Sequence, residues 1–242
     1  MIPVLFINLD RDAERRARLE AELQQHGVAG ERFPATLWTA LSAAEQARYY
    51  SPELNARLFH KPLVNGEKGC YASHLRAWQW LLDSPHAALV VLEDDVKLKP
   101  GFAAVVDAIT ALPAGWDMIK LLGRPATGKQ EKLRGQAPLI AGTELVDYAR
   151  IPSLTAGYVI SRSGASKLLN TRLPFGRPID VDLRHFWENG LKVQGVEPSA
   201  IELDETSFES SIGDKPKGGL AARWTKFRHK MAYTILNHWY TR

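Results

Sequence analysis

The apolar positions of this chain fall into short unbroken runs separated by stretches of helical spacing. The runs at 3–9 (PVLFINL), 87–96 (AALVVLEDDV), 116–122 (WDMIKLL), 154–161 (LTAGYVIS) and 191–196 read as strands, with a shorter one at 31–37. Runs that stay apolar without alternating describe strands buried on both faces, as in a sheet covered by helices. Between them, Ala13, Ala17, Ala21, Leu19 and Leu23 supply the stripe of a helix that Asp10 or Asp12 can cap and Gly27 ends. A capping box, Ser42-Ala43-Ala44-Glu45, opens a second helix, broken at Ser51-Pro52. Asn65-Gly66-Glu67-Lys68-Gly69 reads as a turn-rich lead into a helix over 70–82, and further helices are predicted over 100–112 and from Ser163 through 169. Residues 123–142 show no stable period and predict a long loop. Strands alternating with helices predict an α/β fold with a mostly parallel central sheet flanked by helices. That unit is expected over 1–215. A basic amphipathic segment, 216–242, follows the breaker-rich Lys215-Pro216-Lys217-Gly218-Gly219.

The run at 87–96 organises the rest, because its apolar residues lead straight into Glu93, Asp94 and Asp95. A buried unpaired carboxylate costs several kcal/mol or takes up a proton, so the acids mark where the strand emerges. In open α/β sheets that carboxyl end is where ligands bind. Alternation along an extended chain puts Glu93 and Asp95 on one face and Asp94 on the other. Two neighbouring carboxylates repel unless a cation lies between them, and oxygen ligands favour Mg²⁺ or Mn²⁺. The bland alternative is a solvated strand end whose acids pair with Lys97 and Lys99.

Other candidate chemistry is thinner. Arg11, Arg15 and Arg16 open the first helix and suit a phosphate approach, or simply a solvated basic face. Ser73 and His74 fall near the predicted start of their helix, where the dipole favours an anion. A histidine there also serves as a core or capping residue, and Trp78 and Trp80 are explained by packing. Asp180 and Asp182, spaced i, i+2, form a second acid pair close to a predicted helix start, where Asp180 would equally well be an N-cap. In 223–242, Trp224, Phe227, Met231, Ile235 and Trp239 recur every three or four residues beside Arg223, Lys226, Arg228, His229 and Lys230. That pattern describes either an interfacial helix on an anionic membrane or a helix packed on the domain or on a second subunit.

Composition narrows the class. At 45% hydrophobic and 24% charged residues, the chain is that of a globular protein with a core. One cysteine, Cys70, excludes an internal disulfide framework and fits a reducing compartment. The first residues lack the pattern of a signal peptide and no run reaches the length of a bilayer span, so a cytoplasmic or cytoplasmic-surface location is expected. A net charge of +4 suits nucleic acid, an anionic membrane or a phosphorylated substrate without choosing among them. No basic-aromatic stacking module is present, and nucleic acid is not an expected partner.

Four stretches together resemble glycosyltransferase family 25, the bacterial lipooligosaccharide glycosyltransferases related to collagen galactosyltransferases. They are Phe6-Ile7-Asn8-Leu9-Asp10-Arg11 with Arg15; Gly69-Cys70-Tyr71-Ala72-Ser73-His74 with Trp78; Leu92-Glu93-Asp94-Asp95; and Thr155-Ala156-Gly157-Tyr158-Val159-Ile160-Ser161. Pro178-Ile179-Asp180 resembles a further family position, and the likeness spans roughly 2–212. The resemblance implies a GT-A type fold, a UDP-sugar donor (most often UDP-galactose), inversion at the anomeric carbon, and a saccharide acceptor of the outer lipid A core. It implies that Asn8 and Arg11 lie at the nucleotide and that Glu93, Asp94 and Asp95 occupy the metal-motif position. Glu93 departs from the usual Asp-x-Asp spelling, which leaves open which two acids bind the ion.

Inverting transfer needs stabilisation of the departing diphosphate and a carboxylate to take the acceptor's proton. The expected assignment is Glu93 and Asp95 for Mn²⁺ or Mg²⁺, and Asn8, Arg11, Arg15, Ser73, His74 and Asp94 for the nucleotide sugar. Asp180 is the preferred base, with Asp182 and Glu209 behind it. The expected partners are a lipid-linked oligosaccharide and the anionic inner membrane. A metal-dependent phosphohydrolase or nuclease using the same acids is the competing class.

Overall fold

The structure is a computed structural model and describes residues 2–123, 132–204 and 220–241, with side chains in the last segment from Trp224 onward. The first half runs β1 (Val4–Asn8), α1 (Ala13–Gln25), β2 (Gly30–Pro34), α2 (Ala43–Tyr49), α3 (Pro52–Leu58), α4 (Asn65–Asp83), β3 (Ala88–Glu93), β4 (Val96–Leu98), α5 (Phe102–Thr110) and β5 (Met118–Lys120). There follow β6 (Leu133–Ile140), β7 (Thr143–Tyr148), β8 (Gly157–Ser161), α6 (Arg162–Thr171), α7 (Ile179–Asp182), β9 (Val193–Glu197), β10 (Ile201–Leu203) and α8 (Leu220–Tyr240).

Among the described residues one large sheet has the order β2-β1-β3-β8-β5-β9-β7-β6, and β4 pairs with β10 beside it. The α/β sandwich is as expected, but the sheet is mixed rather than mostly parallel. β8 runs antiparallel to both β3 and β5, and β7 runs antiparallel to both β6 and β9. Because β8 reverses between them, β1, β3 and β5 still run in one direction. Their last residues, Asn8, Glu93 and Lys120, share one edge with the start of β8.

Strand alternation divides the core into two. Val4, Phe6, Val90 and Leu92 pack with Leu19 and Leu23 of α1 and with Val105, Val106 and Ile109 of α5. Leu5, Ile7, Leu89 and Val91 pack with Leu75, Trp78 and Leu81 of α4 and with Ala165 and Leu168 of α6. Leu89 to Leu92 are completely buried, as an all-apolar run demands.

Several local expectations are corrected. The Asp12 side chain makes no cap to α1. Ser51-Pro52 starts α3 as well as ending α2: the Ser51 hydroxyl accepts from the Leu54 amide, and Pro52 fits the first turn. The glycines of 65–69 lie within α4. A Cβ on Gly69 would stand 2.5 Å from the Thr36 carbonyl oxygen, so this glycine serves close packing rather than a turn. The segment expected to be a loop to residue 142 contains β6, which forms a hairpin with β7. Its alternation is masked by two register shifts and by Pro138, tolerated on this edge strand.

Candidate active site

The alternation that divides the core also sorts the three acids. Asp94 turns to the α1 face, where its carboxylate accepts from Asn8 Nδ2 at 2.7 Å and pairs with Arg15 Nη1 at 3.2 Å. Asn8 is buried and fully engaged. Its Nδ2 also donates to the Asp12 carbonyl at 3.0 Å, and its Oδ1 accepts from Arg32 Nε at 2.9 Å. Asn8, Arg15 and Asp94 thus fasten the β1–α1 turn to the end of β3. Burial outweighs these partners and raises the Asp94 pKa. Arg11, whose side chain is largely exposed and 3.8 Å from Asp12, remains able to reach a ligand.

Glu93 turns to the α4 face. Burial alone would raise its pKa, but His74 and the Thr155 hydroxyl hold it below the ordinary value. His74 lies two turns inside α4 and is completely buried, so the expected anion site at a helix start does not exist there. Ser73 is spent as well: its hydroxyl donates to the Gly69 carbonyl and accepts from the Thr36 amide, both at 2.7 Å. The Trp78 indole can only donate, so Tyr158 Oη accepts from it at 2.9 Å and gives its own proton to His74 Nδ1 at 2.7 Å. That leaves His74 Nε2 carrying the ring proton, 3.5 Å from Glu93 Oε1. The separation is longer than an ordinary hydrogen bond, so the contact is chiefly electrostatic. The Cys70 sulfur joins the same cluster, with ligand atoms within 4.8 Å of one another. Burial pushes the Cys70 thiol well up, which keeps it neutral.

Asp95 follows at the turn into β4, with a buried Oδ1 that has no hydrogen-bond partner. Burial, then the charges of Glu93 and Asp94, push its carboxyl up to about 7. An orphaned carboxylate oxygen beside a second acid fits a hard divalent cation, which would be held by Asp95 with Glu93.

The sequence reading missed Lys120. It is buried at the end of β5 and donates to the Leu154 carbonyl. Burial lowers its pKa to about 8, against the opposing pull of Glu93 and Asp180. Period two along β5 puts Lys120 on the same face as Met118, hence on the α4 side with Glu93. A cation at the end of a buried strand was the available signal.

Asp180, in α7, faces this group. Burial raises its pKa, Glu93 raises it further, and the Val181 amide and Arg184 partly offset this. Asp182 does not join it. It is buried, accepting from Tyr71 Oη at 2.7 Å and Arg177 Nη1 at 2.8 Å, with Arg172 Nε at 3.4 Å. In a turn of helix, i and i+2 point apart, and the second acid is therefore a structural anchor. Glu209 lies outside the described residues.

The arrangement is thus a half-buried acid cluster, Glu93, Asp95 and Asp180, at the carboxyl edge of the parallel strands, with the buried Lys120 acting on Glu93 and Asp180. Comparison with known proteins gives its context. A 32% identical relative, "Glycosyltransferase 25 family member" of Anopheles gambiae, aligns over 188 residues, 74% of this chain and 30% of the relative. Procollagen galactosyltransferase 2 of Homo sapiens is 29% identical over 191 residues, again 74% of this chain and 29% of the relative. The chain thus spans under a third of the length of these relatives. Among solved structures, glucosyl-3-phosphoglycerate synthase from Mycobacterium tuberculosis, in complex with Mn²⁺, UDP-glucose and phosphoglyceric acid, superposes with a TM-score of 0.40 at 16% identity. That superposition covers 98% of this chain and 79% of the other, and at this score it does not bear on the site. Residues 1–183 match the family model described as glycosyltransferase family 25 (LPS biosynthesis protein), and the chain belongs to that family.

Proposed function

We propose that the chain is an inverting, metal-dependent glycosyltransferase that moves galactose from UDP-galactose to a saccharide acceptor of the lipooligosaccharide core. The observation that carries this reading is the unpartnered, buried Oδ1 of Asp95 within the acid cluster. Family membership supplies the reaction class, and the similarity to procollagen galactosyltransferase 2 favours galactose. Mn²⁺ or Mg²⁺ held by Asp95 and Glu93 would supply Lewis-acid stabilisation of the diphosphate's charge.

The chain's own residues do the rest. The acceptor hydroxyl attacks C1 opposite the UDP, the C1–oxygen bond to the diphosphate breaks, and the acceptor's proton passes to Asp180. A carboxylate raised by burial is the stronger base for this step. Lys120 balances the charges of Glu93 and Asp180, which stay half-buried and open to an acceptor. Arg11, exposed at the mouth of the β1–α1 turn, meets the nucleotide phosphates. A lipid-linked acceptor places the work at the cytoplasmic face of the inner membrane.

The test is sugar transfer and donor hydrolysis with UDP-galactose, UDP-glucose and UDP-N-acetylglucosamine, with Mn²⁺, Mg²⁺ or a chelator, for wild type and Asp95→Asn. Transfer is expected to prefer UDP-galactose and to fall at least about a hundredfold in the variant. Full activity of Asp95→Asn under chelation refutes the metal assignment. Phosphoester hydrolysis that needs no sugar acceptor would instead identify a phosphohydrolase.

A further inference from the structure

Helix α8 is attached by its inner face and bare on its outer one. Tyr233 and Asn237 are 8% and 4% exposed. Asn237 Nδ2 donates to the Ala149 carbonyl at 2.7 Å, Arg150 Nη2 donates to Thr234 Oγ1 at 3.0 Å, and the Trp187 ring stacks on Tyr240 at 5.9 Å. The Arg184 guanidinium lies 4.5 Å over the Tyr233 ring. Residues 224, 231 and 235 fall half a helical turn away from Tyr233, with 227 and 239 flanking them. These are the residues of the apolar stripe: Trp224 is 64%, Ile235 61% and Trp239 77% exposed, and Phe227 and Met231 are exposed as well. Of the alternative readings of the stripe, packing on this domain does not hold. The domain holds the opposite, narrower face.

The charge around the stripe is one-sided. Residues 215–242 contain seven Lys and Arg and no Asp or Glu, so the preceding 214 residues carry a net −3 and the whole chain +4. Lys226, Arg228 and Lys230 are exposed on α8. Two tryptophans bracket the stripe about 22 Å apart, and indoles favour the level of lipid headgroups. A face-to-face contact of two α8 helices would set cation against cation, which argues against a second copy as the occupant.

We propose that the outer face of α8 is a docking surface for an anionic lipid bilayer, with α8 lying in the interface. Its stripe enters the headgroup–acyl boundary and its cations meet lipid phosphates. Among the described residues no helix is long and apolar enough to cross a membrane, so this contact is peripheral. The attachment has direction. Arg184, held over Tyr233, acts electrostatically on both Lys120 and Asp180. The α7 region that carries the proposed base is therefore tied to the lipid-facing helix, which puts the acceptor side of the site next to the membrane. That purpose rests on the lipid-linked reading of the acceptor; the surface itself does not.

The test uses the full chain and sedimentation with vesicles of phosphatidylcholine, alone or with about one-third phosphatidylglycerol. Wild type is expected to bind the anionic vesicles and not the neutral ones. Trp224→Ser/Ile235→Ser/Trp239→Ser should lower partitioning by about tenfold or more. Lys226→Gln/Arg228→Gln/Lys230→Gln should remove the dependence on phosphatidylglycerol. Both variants change exposed side chains, and transfer to a soluble acceptor should stay within about twofold of wild type. Partitioning unchanged by the first variant overturns the proposal. So does a wild-type dimer that this variant dissolves, since the stripe would then be a subunit interface. Vesicle binding needs neither donor nor acceptor, so binding without sugar transfer would refute the proposed reaction and leave the docking surface standing.

Discussion

Replacing Lys120 with methionine separates function from stability. The side chain is buried, and burial brings its pKa from 10.5 to about 8 despite Glu93 and Asp180. That fall corresponds to roughly 3 kcal/mol by which folding disfavours the charged amine. Methionine removes this cost at neutral pH but leaves the Leu154 carbonyl without its donor, a loss of about 1–3 kcal/mol. The two nearly cancel, so Lys120→Met should fall within about 2 kcal/mol of wild-type stability at pH 7. Sugar transfer should fall at least about a hundredfold, because Glu93 and Asp180 lose the cation between them. The pH dependence is sharper. Between about 8 and 10.5 the unfolded lysine binds more protons than the folded one, so wild-type stability rises with pH through that window. The cost is fully present below pH 8, and the variant lacks the rise. Urea melts at pH 7, 8.5 and 9.5, with transfer assays on the same preparations, measure both effects. A variant that keeps full activity, or one that loses more than about 4 kcal/mol at pH 7, would show that Lys120 is a structural cation and refute the argument.

Asp180→Asn should keep UDP-sugar binding, measured by calorimetry, while transfer drops by about 10²–10⁴-fold; normal transfer moves the base elsewhere. Burial would raise the Glu188 pKa, but hydrogen bonds from Arg177 and the charges of Arg177 and Arg172 bring it to about 2. Its contribution is therefore complete above the ordinary 4.5 and lost as pH falls toward 2. Discounted for partial exposure it is about 1–2 kcal/mol. Glu188→Gln should accordingly lose stability at pH 6 and converge with wild type near pH 2.5 in denaturant melts; parallel curves would count against it.

What the sequence made legible follows from which signals are local. Strand β3 was plain because six apolar residues precede the acids, and simple alternation separated Glu93 from Asp94 before any fold was known. The lead into α4 misread because glycine carries two meanings. Gly69 lies in a helix to let the Thr36 carbonyl approach, a reason that exists only once 36 and 69 are neighbours. Asn8 and Ser73 looked like nucleotide-sugar ligands and Asp182 like a base for the same cause: a polar side chain in a motif reads identically whether it faces a substrate or fastens two elements. Lys120 was hidden oppositely, since Leu121 and Leu122 continue the apolar run past it and the cation resembled a mere interruption. Yet the rule that singled out Glu93 applies to it unchanged. A full charge inside a buried run is tolerated only beside opposite charge, so Lys120 announces acids on its face that local sequence cannot name. Glu93 arrives from the next strand but one and Asp180 from sixty residues on, and only the reversal of β8 between β3 and β5 brings all three to one edge.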